Sequence, residues 1–99
     1  MDDQIDAFLD YLKVERNSSA YTVKSYAEDL AALRQSLTNH GKLRPSLDLI
    51  TTRTIRTFLA QLHESGFSAS SVTRKLSAVR SFCKYLCRNG TFDRNPAEG

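Results

Sequence analysis

Cations and hydroxyl groups are concentrated in one stretch of this chain, residues 69–88. The stretch holds five basic residues and no carboxylate: Arg74, Lys75, Arg80, Lys84 and Arg88. Arginine and lysine bind phosphate oxygens or base edges, and short hydroxyls donate hydrogen bonds to phosphates at close approach. The residue types therefore indicate a surface that binds a phosphate-rich anion.

The charge of the whole chain is unevenly distributed. The net charge is +3, and 25% of the 99 residues are charged. Residues 1–50 carry six basic and eight acidic side chains, whereas residues 51–99 carry eight basic and three acidic ones. Such asymmetry favours an acidic partner that is met on one face.

The two cysteines, Cys83 and Cys87, are four residues apart in a helical stretch. A helical pair at this spacing can share a metal, but two further ligands are needed, and His40 and His63 lie in other segments. We expect reduced thiols in a cytoplasmic protein, with no metal and no cofactor.

Catalytic patterns and membrane segments are not found. The sequence has no general base pair, phosphate loop or Cys–His dyad, so we expect no catalytic residue. Four tyrosines fall on predicted helices, where the expected role is packing: Tyr11, Tyr21, Tyr26 and Tyr85. No segment has the roughly 20 apolar residues of a membrane span, and the acidic start lacks a signal-peptide pattern. We expect no membrane partner.

Apolar spacing predicts four helices, over residues 3–16, 21–38, 52–65 and 69–88. Ser18-Ser19, Thr51 and Ser68 are suited to cap helix starts. Asn39-His40-Gly41, Gly66 and Asn89-Gly90 are suited to end them. Each helix carries one apolar stripe, which predicts an all-α bundle closed around a single core.

The fourth helix divides into two faces at about 100° per residue. The predicted core stripe comprises Val72, Leu76, Val79, Cys83 and Leu86. The opposite face comprises Ser70, Arg74, Ser77, Ser81, Lys84 and Arg88, flanked by Thr73 and Arg80. Serines are mediocre helix formers, so their number on this face favours a function beyond solvation. A basic stripe that is only a solvated face is the alternative.

The start of the second helix adds a weaker indication of the same kind. Its opening turns carry possible phosphate donors: Ser19, Thr22, Lys24 and Ser25. Helix capping also explains the serine at position 19. Glu28 and Asp29 further along would be repelled by DNA, so contact is expected only in the first two turns.

The order of motifs resembles the core-binding, SAM-like domain of tyrosine recombinases and phage integrases, most of all the Xer-type group. The first half carries Phe8-Leu9, Tyr11-Leu12, Ser18-Ser19, Thr22-Val23, Ser25-Tyr26 and Asp29-Leu30. The second half carries Gly66-Phe67-Ser68, Ser70-Ser71-Val72, Arg74-Lys75-Leu76-Ser77-Ala78-Val79-Arg80-Ser81-Phe82, Tyr85-Leu86, Gly90 and Asn95-Pro96. The similarity covers residues 4–97. The individual motifs are weak, and their joint order and spacing are specific.

The resemblance implies a compact four-helix, SAM-like orthogonal bundle that forms half of a C-shaped clamp around a recombination half-site. It implies that the second and fourth helices contact the major groove of double-stranded DNA. The residues carried over are Thr22, Lys24, Ser25, Ser70, Ser71, Arg74, Ser77, Arg80, Ser81 and Lys84. Residues 1–94 would form this domain, and residues 95–99 would begin a linker to a catalytic domain that this chain lacks.

The resemblance also implies partners and a parent activity. The parent would be a tyrosine recombinase that exchanges DNA strands with other recombinase subunits assembled on DNA, and the isolated domain would be monomeric and inert as an enzyme. A helical protein-interaction module is the alternative, with an exposed apolar patch around Phe67, Phe82 and Phe92. A helix-turn-helix repressor fits poorly because the fourth helix is long.

Overall fold

Four α-helices make up most of the computed structural model, which describes residues 1–38 and 45–98. They are α1 (Asp2–Val14), α2 (Ala20–Thr38), α3 (Thr52–Glu64) and α4 (Ala69–Arg88), with a turn of 3-10 helix at Leu47–Leu49. The prediction of an all-α bundle of four helices is confirmed. Each boundary lies within two residues of the predicted one, and the 3-10 turn was not predicted.

Hydroxyl side chains cap the starts of three helices. The Oγ of Ser19 and of Ser68 accepts the backbone N–H three residues further on, at 3.1 and 3.2 Å. Thr51 and Thr54 form a reciprocal pair, in which each side chain accepts the other's backbone N–H. These bonds satisfy N–H groups that have no partner inside the helix.

Glycines end two helices as predicted. Gly66 and Gly90 have φ angles of 87° and 83°, in the left-handed region that glycine adopts without strain. The predicted stop at Asn39-His40-Gly41 lies outside the described residues. In the described part, no helix is long and apolar enough to span a membrane.

The core lies where α2 and α4 cross and where α1 and α3 pack against them. The core side chains with 0% exposure include Leu30, Leu33, Val79, Phe82, Cys83 and Leu86. Phe8 of α1 contacts aromatic rings from both long helices, with centroids 5.7 Å from Tyr26 and 5.4 Å from Tyr85. This packing fixes the relative positions of α2 and α4, which carry the predicted binding residues.

Three sequence-based expectations need correction. Phe82 and Lys75 of α4 are buried, although neither was placed on the predicted core stripe, and Leu76 of that stripe is only partly buried. Tyr21 is 77% exposed and does not pack into the core, unlike the other three tyrosines. The buried face of α4 is wider than predicted because two other helices cover it: Lys75 bonds to Asp29 of α2, and the Phe82 ring contacts Phe8 of α1.

Candidate nucleic-acid interface

The polar face of α4 is open to solvent along its length. Ser70, Arg74, Ser77 and Lys84 are exposed, and Ser81 is partly buried. All carry side chains that can donate to phosphate oxygens or base edges. The structure therefore leaves this face available to a partner.

The first turns of α2 lie beside this face. A cavity of about 230 Å³ is lined by Thr22 and Ser25 from α2 and by Arg74 and Ser77 from α4. Four of the ten predicted interface residues thus meet at one place. Lys24 is exposed but does not line this cavity.

A buried carboxylate lies at the base of the same cavity. Asp29 of α2 is 2% exposed, and its Oδ1 accepts hydrogen bonds from Arg74 Nη2 and Lys75 Nζ, both at 2.9 Å. Lys75 is itself buried, and its Nζ lies 5.5 Å from the centroid of the Phe67 ring. Two cations therefore pair with Asp29, and the repulsion of DNA expected from this residue stays a prediction.

Asp29 binds only one nitrogen of the Arg74 guanidinium, Nη2. The hydrogen bond to Asp29 and the attraction of its charge raise the pKa of the Arg74 guanidinium. The side chain of Arg74 is still 51% exposed. Because a guanidinium has five N–H donors, several of them can still reach a ligand.

Other predicted interface residues have structural contacts of their own. Arg80 Nε donates to the backbone oxygen of Ala97 at 3.1 Å, so this side chain lies towards the C-terminal segment. Ser71 is partly buried, and its hydroxyl lies 3.0 Å from that of the capping residue Ser68. Ser70 is beside the same cap. These three residues do not line the cavity that Arg74 lines.

Ser81 and Lys84 line a second cavity together with Thr22. Thr22 therefore belongs to both cavities, and the two form neighbouring parts of one surface along the α2–α4 boundary. Residues from both predicted helices are brought together here.

The apolar patch expected for an interaction module is not formed. Phe82 is fully buried and Phe92 packs partly against the core. Phe67 is 45% exposed, and Lys75 lies against its ring. The three phenylalanines therefore do not share an exposed surface.

The two cysteines of α4 differ in burial: Cys83 is buried and Cys87 is partly buried. Both are free, and burial raises the pKa of the Cys83 thiol to about 12. Across residues 1–38 and 45–98, no three His, Cys, Asp or Glu side chains are grouped to hold a metal ion. His40, the other ligand considered, lies outside the described residues.

The pairing of Asp29 with Lys75 was not predicted from the sequence. A signal was present, because Asp29 falls on the apolar stripe of α2, next to Leu30 and one turn before Leu33. A carboxylate on such a stripe needs a buried cation as its partner. Which cation fills this role depends on the tertiary structure, since Lys75 is 46 residues away in the sequence.

The four-helix fold and the polar surface of α2 and α4 are those of a helical binding domain. Comparison of the chain with known protein families identifies which one. Residues 5–90 match the family model described as phage integrase, N-terminal SAM-like domain. The match covers most of the chain, and the chain belongs to this family. No solved structure matches the chain.

Curated relatives of the chain are Xer tyrosine recombinases. Tyrosine recombinase XerC of Oceanobacillus iheyensis is 40% identical over 92 residues, which is 93% of this chain and 30% of the relative. Tyrosine recombinase XerC of Pseudomonas aeruginosa is 39% identical over 95 residues, 96% of this chain and 31% of the relative. Tyrosine recombinase XerD of Chlorobaculum tepidum is 40% identical over 94 residues, 95% of this chain and 30% of the relative. The chain spans about a third of the length of these relatives.

Proposed function

We propose that this chain is the DNA-binding domain of a tyrosine recombinase and holds a recombination half-site as one half of a clamp. The start of α2 and the polar face of α4 contact the major groove. The other half of the clamp and the strand-exchange chemistry belong to a catalytic domain of the parent protein.

One observation carries this proposal: hydroxyl and cationic groups from α2 and α4 form one surface whose nearby carboxylate is neutralised. Thr22, Ser25, Arg74 and Ser77 line a common cavity, and Asp29 below them is buried between two cations. Such a surface attracts phosphates, and its arginine and hydroxyl groups can donate hydrogen bonds to base edges in the major groove. Sequence similarity to tyrosine recombinases supports DNA as the partner.

The test is fluorescence anisotropy with a labelled mixed-sequence duplex at several salt concentrations. Wild type is compared with Arg74→Ala/Lys84→Ala, which removes two exposed cations from the proposed surface. Arg53→Ala/Arg56→Ala on α3 removes the same charge from exposed positions elsewhere and is the matched control.

Arg74→Ala/Lys84→Ala should bind the duplex at least about tenfold more weakly than wild type. The slope of the logarithm of the binding constant against the logarithm of the salt concentration should become shallower by about one to two units. The α3 control should bind nearly as wild type. Equal losses in the two variants would mean that net charge alone drives binding. Absence of binding by wild type at low salt would overturn the proposal.

The parent protein is proposed to be a tyrosine recombinase that exchanges DNA strands with other recombinase subunits on DNA. The isolated domain is proposed to be a cytoplasmic monomer that uses no cofactor. Sedimentation at micromolar concentration with and without duplex tests the oligomeric state, and a dimer without DNA would contradict it.

A further inference from the structure

The second cavity, at the junction of α1, α2 and α4, combines features that the proposed interface does not explain. Its volume is about 310 Å³. Arg16, which follows α1, and Arg88, the last residue of α4, line it together with Lys84. No carboxylate is among its lining residues.

Three positive charges thus line a cavity whose described lining residues include no carboxylate. Within the described ranges, none of Arg16, Lys84 and Arg88 has a carboxylate within 4.0 Å. A cation at the end of a helix is favoured by the helix dipole, which accounts for Arg88. The same effect applies to Arg16, which directly follows the C-cap of α1, and it does not account for Lys84, one turn before the end of α4. Converging cations in a concave site favour the binding of an anion.

The neutral groups in this cavity also suit an oxyanion. Arg88 Nη1 donates to the hydroxyl oxygen of Tyr11 at 3.4 Å, which holds the guanidinium beside the cavity. The hydroxyl oxygen of Thr22 accepts from Ser19 at 3.0 Å, so its own hydrogen is free to donate. Ser81 adds a further hydroxyl. Arginine and hydroxyl donors together are the usual partners of phosphate oxygens.

We infer that this cavity binds a backbone phosphate of the DNA, and that Arg16 and Arg88 are phosphate-binding residues beyond the predicted interface. The assignment rests on the proposed function, because Thr22, Ser81 and Lys84 belong both to this cavity and to the proposed DNA surface. It extends the DNA contact from α2 and α4 to the turn after α1.

The test compares Arg16→Ala/Arg88→Ala with the α3 control Arg53→Ala/Arg56→Ala in the duplex-binding assay. Both arginines of the cavity are exposed, so the variant should fold, as circular dichroism would verify. Its affinity should fall about tenfold, equally for different duplex sequences, and its salt slope should decrease by about one unit. The α3 control should keep the wild-type slope.

The possible failures are distinguishable. A wild-type slope in Arg16→Ala/Arg88→Ala, with weakened binding in Arg74→Ala, which lies outside this cavity, would overturn the phosphate site and leave the proposed function intact. No duplex binding by wild type would overturn both. Free inorganic phosphate could occupy the same cavity, and a titration followed by amide chemical shifts would detect its binding. If inorganic phosphate saturates the cavity and bound duplex is not released, the assignment of the cavity to a DNA phosphate is overturned.

Discussion

Asp29 gives Arg74 a fixed position without using all of its donors. One guanidinium nitrogen, Nη2, is bound to the buried carboxylate, and half of the side chain remains in solvent. If the chain binds DNA as proposed, a side chain that is already held loses less conformational entropy on binding. In the proposed function, Asp29 is therefore a positioning residue, and the ionic cluster has both a structural and a binding consequence.

The stability of the domain should depend strongly on Asp29. Asp29→Ala leaves Lys75 buried without a counter-charge, and we expect the free energy of unfolding to fall by about 3–5 kcal/mol. Replacing both partners by apolar residues, as in Asp29→Leu/Lys75→Met, should recover most of that loss. Urea unfolding followed by circular dichroism measures both values. The exposed neighbour Glu28→Ala is the control, and equal stabilities of Asp29→Ala and Glu28→Ala would contradict the expectation.

At the scale of the element, α4 shows what local sequence can and cannot predict. Its two ends were predicted because Ser68 and Gly90 act on adjacent backbone groups. The exposed serines and cations of its polar face were predicted because helical periodicity separates them from the apolar residues.

The burial of Lys75 and the contact of Arg80 could not be predicted from the same pattern. Both depend on partners distant in the sequence, Asp29 and the backbone of Ala97. Periodicity assigns a residue to a side of its helix, whereas the neighbouring elements decide how much of that side is covered.

The start of α4 should be sensitive to its cap. Ser68→Ala removes the acceptor for the N–H of Ser71, and we expect a loss of about 1 kcal/mol in the free energy of unfolding. Ser70→Ala is the control, because Ser70 is exposed and its hydroxyl bonds no backbone group of the helix start. Urea unfolding should separate the two variants. Equal losses would show that the whole serine cluster, and not the cap alone, stabilises this end.

At the scale of the whole molecule, the segment after α4 turns back onto the bundle. Ala97 is 5% exposed and belongs to the core. Its backbone oxygen accepts from Arg80 Nε at 3.1 Å, and the oxygen of Pro96 accepts from the Thr52 hydroxyl at 2.9 Å. The segment thus joins the start of α3 to the middle of α4.

A chain that ends at Arg94 should therefore be less stable than one that ends at Glu98. The shorter chain lacks residues 95–98, and with them two hydrogen bonds, which contribute about 1 kcal/mol each, and the buried side chain of Ala97. We expect a net loss of about 1–2 kcal/mol, which lowers Tm by roughly 5–10 °C. Thermal unfolding by circular dichroism measures the difference. The same Tm for both chains would show that residues 95–98 belong to the linker, in agreement with the predicted boundary after residue 94. The expected loss would instead make Asn95-Pro96-Ala97 part of the folded domain.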